Sequence, residues 1–379
     1  MFKNDNKINS KNIQEKIPDD KKSNFDNEYN IILNKKTKRN REEIENNSYE
    51  FKSNPESFHF LNKIITDTFS YELLDNTFCV FNSIENNICY LIYTNKKKSI
   101  ICHNIISGKK INEIKNAHNY YIINFRHFFD KDNKRDLVIS ISDKDNNLKV
   151  WDIVNLNCLL NLMNINQKGL LFSACFLKCD NQLFIVSSNC YGDSNPIKIF
   201  NLKGNKVKEI NDPDTNILFI ESFYDVTLGK NYIITGNKYC AKSYDYNESK
   251  IYNKYCDRNE EFHYSVIIND KDLVELLESS SGGKIRIWKF HTGELLNIIE
   301  VSSDWLYGTC LWNKKYLFVA CHEKAIKIIE LESRKVIKEL TDKDDFILSI
   351  KKIIHPKYGE CLISHGYINS NIKLWIKKD

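Results

Sequence analysis

Histidine, serine, aspartate and cysteine are the side chains from which a hydrolase or a metal site is built. The chain sets several of them close together: Cys175 with Cys179, Cys321 with His322, and His118 ahead of Ser140, Ser142 and Asp145. Each chemistry also needs a frame. A nucleophile elbow needs Gly-x-Ser-x-Gly, a zinc protease His-Glu-x-x-His, and a phosphate loop a glycine-rich turn ending in Gly-Lys-Ser/Thr before a helix. No such string occurs, and Gly282-Gly283-Lys284 lacks the first glycine and falls in a turn between strands. Zinc needs four convergent ligands, and no second pair faces Cys175/Cys179 or Cys321/His322, so those thiols read as strand cores. His355, before Pro356, and His365 read as isolated surface or turn residues. No catalytic, cofactor-binding or metal residue is assigned, no cofactor is expected, and the chain is expected not to be an enzyme.

The elements that would position such groups are strands. In Lys284-Ile285-Arg286-Ile287-Trp288-Lys289-Phe290 the aliphatics alternate with larger and polar residues, the period of two that puts one set on each face of a strand. A turn through His291-Thr292-Gly293 and a second apolar run complete a hairpin. The same pattern recurs around His103, Trp151, Phe200, Tyr244, Trp288, Ile329 and Trp375, at steps of 41 to 49 residues. That repeat predicts an all-β, seven-bladed β-propeller of four-stranded antiparallel blades. The last repeat ends at Lys373-Leu374-Trp375-Ile376 with no strand after it, while Phe60 to Thr66 is a spare strand near the start. Pairing the two would close the ring and leave no open edge. Residues 1–57 are rich in Asn and Lys with scattered apolar residues, and read as a disordered tail; residues 58–379 form the propeller.

Composition narrows the partner classes. Lys+Arg 55 against Asp+Glu 50 gives a net charge of +5, both signs dense and nearly balanced, which disfavours nucleic acid. The basic run Lys35-Lys36-Thr37-Lys38-Arg39-Asn40-Arg41 reads as a solvated part of the tail, with a nuclear-import or nucleic-acid-contacting patch as the alternative. The 12 cysteines are scattered mostly through expected strands, as in a reducing compartment. Met1 to Ser10 is polar and no stretch approaches a membrane span, so the expected location is intracellular, cytoplasmic first and nuclear second.

The segment Asn116-Ala117-His118, Tyr121 to Phe128, Leu137 to Ser142, Asp145, and Leu148-Lys149-Val150-Trp151-Asp152 resembles one repeat of the WD-repeat, beta-transducin-like propellers. The resemblance extends over roughly residues 60 to 379 and implies a structural tetrad of His118, Ser140 or Ser142, Asp145 and Trp151, with no catalytic role. Only Asp152 and Asp245 follow an anchor as the pattern asks; Gly282 and Asn369 replace the turn Asp, and Ala117 replaces the Gly before His118. Phosphoinositide-binding members would carry Phe-Arg-Arg-Gly, whereas Phe125-Arg126-His127-Phe128 has one Arg in an expected inner strand. Cullin-adaptor members would want an Arg two residues after Trp-Asp, where this chain has Val154.

Aligning the innermost strands puts Tyr121, Leu170, Ile217, Phe262, Trp305 and Phe346 at equivalent positions at one mouth of the central channel. Large apolar groups around a mouth suit peptide recognition, and Asp304 and Asp345 beside two of them would favour a basic peptide. The expected function is a non-enzymatic scaffold or adaptor that binds protein or peptide partners through the rim and this mouth, as part of a larger complex. The alternative is a small-molecule or hydrolase site at the channel mouth.

Overall fold

The computed structural model describes residues 57–65, 77–96, 98–142, 144, 146–163, 165, 170–190, 197–212, 217–237, 240–257, 263–270, 273–312, 314–342, 345–367 and 370–378. The tail, Asp145, Phe262 and Asn369 lie outside these residues. The described strands form seven four-stranded antiparallel sheets. Blade 1 runs Cys79–Asn82, Cys89–Thr94, Ile100–Asn104 and Lys109–Ile114, and blades 2 to 6 repeat that order. Each first strand packs on the first strands of neighbouring blades, so it lines the axis, and each fourth strand lies outermost.

Burial follows that layering. Second strands, sandwiched between neighbouring blades, are buried along their whole length in Cys89–Thr94 and Tyr316–Cys321. The outer strand Lys109–Ile114 has no fully buried residue, and it is the one that carries Lys109, Lys110 and Glu113. Apolar clusters lie between blades, one example joining Ile123, Leu137 and Val150 of blade 2 to Leu171 and Ile185 of blade 3. Burying these faces at ~25 cal/mol per Å² is what holds the blades against one another.

The anchors earn their regular spacing through a bulge. In blades 1 to 6 the pairing of third and fourth strands shifts register immediately before His103, Trp151, Phe200, Tyr244, Trp288 and Ile329. An extra residue there increases the right-handed twist that a wedge-shaped blade requires. Five residues after Trp288 the chain turns through Gly293 at φ 71, where an added Cβ would sit 3.0 Å from the Lys254 carbonyl. Leu156 holds the matching turn of blade 2 at φ 60 despite its side chain.

Closure is as the unpaired strands require. The strand Ser57–Ile65 pairs antiparallel with Ile372–Lys378, Phe60 opposite Trp375, and completes blade 7 as its outer strand. It begins at Ser57, so its first residue falls on the tail side of the boundary read from composition. Among the described residues no helix is long and apolar enough to cross a membrane.

Candidate mouth site and the loops that frame it

Two kinds of loop share one face of the ring: the connectors from one blade's outer strand to the next blade's inner strand, and the turns between second and third strands. They are clasped together by the backbone. His322 N–H, after the second strand of blade 6, donates to the Trp305 carbonyl at 2.9 Å, and Tyr367 N–H of blade 7 donates to the Phe346 carbonyl at 2.9 Å. Every aromatic at this corner is therefore placed by main-chain bonds, which costs no side-chain donor.

Around the Trp305 connector the polar groups form one network. Trp305 N–H donates to Asp304 Oδ1 at 2.8 Å, and Asp304 Oδ2 lies 2.6 Å from His322 Nδ1. The His322 ring stacks flat on Phe346, centroids 4.3 Å apart, with Lys324 Nζ 5.6 Å from the Phe346 centroid. Ser302 Oγ and Ser303 N–H donate to Glu323, which also receives Lys327 Nζ at 2.8 Å. Partial burial raises the Glu323 carboxyl, but Lys327, Ser302 and Ser303 outweigh it and bring it down to about 2. Trp305 and Tyr367 stay partly open while packing on the blade 6 and 7 core. The result is a firm corner with two acids open to solvent, Asp304 with its side chain 42% exposed and Glu323 at 31%, the latter already held by Lys327.

The other residues expected at the mouth divide. Tyr121 and Leu170 are exposed, and Lys98 Nζ lies 6.0 Å from the Tyr121 centroid, a second cation over a connector aromatic. Ile217 does not reach the mouth; it is buried with Ile197, Ile210 and Ile220 between blades 3 and 4. Asp345 is not available to a partner either, since it is fully buried in the space a side chain at Gly366 would take. His365 and His355 are buried, not surface residues; His365 Nδ1 hydrogen-bonds Thr77 Oγ1 at 2.7 Å, and burial lowers its pKa to about 3.

The blade 2 lock has a definite hydroxyl. Trp151 Nε1 donates to Ser140 Oγ at 2.8 Å and His118 Nε2 lies 2.7 Å from the same oxygen. Ser142 is a correction: its Oγ is buried with no partner among the described residues, because Ser142 pairs with Ile122 at the strand end, beyond the reach of Trp151. Burial, then Lys149, pushes the His118 pKa down to about 3, so its imidazole is neutral at physiological pH. Blade 7 repeats the bond from Trp375 Nε1 to Ser364 Oγ at 2.8 Å.

A second lock escaped the motif search. Two residues before the anchor stands a cation in blades 2 to 7, namely Lys149, Lys198, Lys242, Arg286, Lys327 and Lys373, with Ile101 in blade 1. Each reaches the connector entering its own blade. Lys149, Lys198 and Lys327 donate to the carbonyls of Ala117, Ile165 and Val301. Lys242, Arg286 and Lys373 instead meet Asp212, Asp257 and Asp342 at 2.6 to 2.8 Å. The signal was present as Lys/Arg-x-anchor, visible once the anchors are aligned. Among the described residues no group of three or more His, Cys, Asp or Glu could hold a metal ion. No family model matches the chain, and no curated protein matches it as a relative.

Proposed function

We propose that the chain is a non-enzymatic scaffold or adaptor of the WD-repeat type, binding a protein or peptide at the blade 6 and 7 corner of its mouth. The observation that carries this reading is the corner itself: Trp305, Phe346 and Tyr367 partly exposed and pre-positioned by backbone bonds, beside the exposed Asp304 carboxylate. Pre-ordered aromatic groups lose little entropy on binding, and they supply most of the energy in small interfaces. Asp304, already oriented by His322, would take a basic side chain of the partner. The WD-repeat assignment is supported by the bonds from Trp151 to Ser140 and from Trp375 to Ser364, made at the same spacing in two blades.

The test is a quantitative pull-down with wild type, Trp305→Ala and Phe346→Ala, each variant checked for unchanged circular dichroism. A partner retained by wild type and lost by both variants supports the mouth as the binding surface. An interactor set unaltered by both substitutions would sink it.

A further inference from the structure

The face opposite the mouth is built by the other two sets of turns, those joining first to second strands and third to fourth strands. Single exposed aliphatics are ordinary on any protein and need no explanation. Their distribution here is uneven. Among the described residues eight large apolar side chains are at least 45% exposed, and six of them belong to this face: Ile84, Ile106 and Ile354 on blades 1 and 7, and Tyr224, Val226 and Leu228 on blade 4. Val226, at the tip of the blade 4 hairpin, is the most open of them at 80%.

Both groups are fixed in place by hydrogen bonds of their own turns. Asp225 Oδ1 accepts from Thr227 N–H at 2.8 Å and from Leu228 N–H at 3.0 Å, and Gly229 completes that turn at φ 63. In blade 1 Ser83 N–H donates to the Ile88 carbonyl at 2.9 Å and Asn87 N–H to the Ser83 carbonyl at 3.0 Å. Asn82 Nδ2 then donates to the Ile354 carbonyl at 2.9 Å, which joins the blade 7 strand to this group.

Charge on the face is sorted by depth. Asp130, Asp152, Asp225 and Asp245 are buried, each accepting a backbone N–H of its own turn. Counting each of these turns with the strand residue at either end, ten lysines are exposed against six Asp or Glu among the described residues, with Lys131 and Lys134 in blade 2 and Lys314 and Lys315 in blade 6. Setting Lys206 aside for its ion pair with Glu209 still leaves nine.

We propose that this face docks on an anionic lipid surface, the blade 4 tip and the aliphatics of blades 1 and 7 entering between headgroups while the lysines meet the anionic layer. Blades 1 and 4 stand three steps apart, as far as a ring of seven allows, so the two apolar groups are separate. A protein partner asks for the reverse layout, one contiguous apolar core with charge at its rim. A bilayer accepts separate tips at any spacing; each is stabilised by the apolar area it buries, and each lysine near an anionic surface adds about 1 kcal/mol. Tips already held by their turns lose little entropy on entry. The inference is independent of the mouth site, which lies on the other face of the ring.

Flotation of the full chain with vesicles of phosphatidylcholine alone, and of phosphatidylcholine mixed with phosphatidylserine, tests it. Wild type is expected to float with the mixed vesicles and about tenfold less with the neutral ones. The double variant Val226→Asp with Leu228→Asp changes side chains that are each more than half exposed, and should lower the bound fraction about tenfold with the melting temperature unchanged. Lys314→Glu with Lys315→Glu is the second variant and should weaken flotation on the mixed vesicles, while Trp305→Ala should float as wild type does. Absence of wild-type flotation on the mixed vesicles would overturn the proposal, including the case in which the tip variant instead loses a protein that wild type retains. So would equal flotation on the two vesicle types, or wild-type flotation by both folded double variants.

Discussion

Blades 2 and 4 tie the same connector to the same strand position with opposite electrostatics. In blade 2 the anchor Trp151 and the connector residue His118 meet on the uncharged Ser140 hydroxyl. In blade 4 Lys242 Nζ contacts both oxygens of Asp212 at 2.8 and 2.7 Å, with both side chains almost wholly buried, and the anchor Tyr244 donates its hydroxyl to the same carboxylate. Blade 7 carries both devices, Trp375 to Ser364 and Lys373 to Asp342. In blades 2 to 7 a bond joins connector to third strand, and the polar groups that make it differ from blade to blade. Motif letters can therefore drift from blade to blade while the ring persists, which is how a complete propeller can lack a matching family model.

The sharpest way to break the comparison is to remove one charge from blade 4. Lys242→Met would take the cation away from the buried Asp212 carboxylate, a loss of about 3–5 kcal/mol in chemical denaturation. Adding Asp212→Leu should recover most of that, because removing both charges of a buried pair is close to neutral. Recovery failing in the double variant would show that the pair acts through more than its own charges.

Acid should act next, and through the histidines. His118 and His365 have folded pKa values near 3, below the ~6.5 of an unfolded histidine, so between those limits the unfolded chain binds more protons. Their neutral burial is fully tolerated above pH ~6.5 and becomes a growing cost as pH falls, roughly 2 kcal/mol per histidine at pH 5. Urea midpoints measured from pH 7 to 4 should fall, and His118→Gln should flatten the slope by about one proton. An unchanged slope in that variant would mean that His118 is not buried as a neutral ring.

Within blade 2 the two serines separate by a smaller margin. Ser140→Ala strips His118 and Trp151 of their shared partner and should cost about 1–3 kcal/mol. Ser142→Ala removes a hydroxyl that bonds to no described residue, and should change stability by less than about 0.5 kcal/mol. The reverse ranking would put the lock on the wrong hydroxyl.

Much of the architecture was legible from the chain alone. The period of two, the anchors at 41 to 49 residues and the unpaired strands at the two ends required seven four-stranded sheets and a ring closed by residues near Phe60. Such features depend on which face of a strand is apolar, and that is a local property of sequence. The mouth was legible less well. Trp305 and Phe346 are partly exposed and bonded to the turns after the second strands, but Ile217, at the matching register, is buried, and His322 and Tyr367 join the corner from turns that no motif marked. The pairing of Lys242 with Asp212 spans 30 residues, and Arg126 reaches Glu221 across 95 positions of chain and two blades.

Sequence by itself determined the repeat, the strand faces and the closure, because alternation of side chains fixes what each blade must bury. Tertiary structure alone decided which hydroxyl bridges His118 and Trp151 and which rim residues meet solvent. Those outcomes depend on where one blade stops and its neighbour begins, a distance that closing the ring sets and no local pattern encodes.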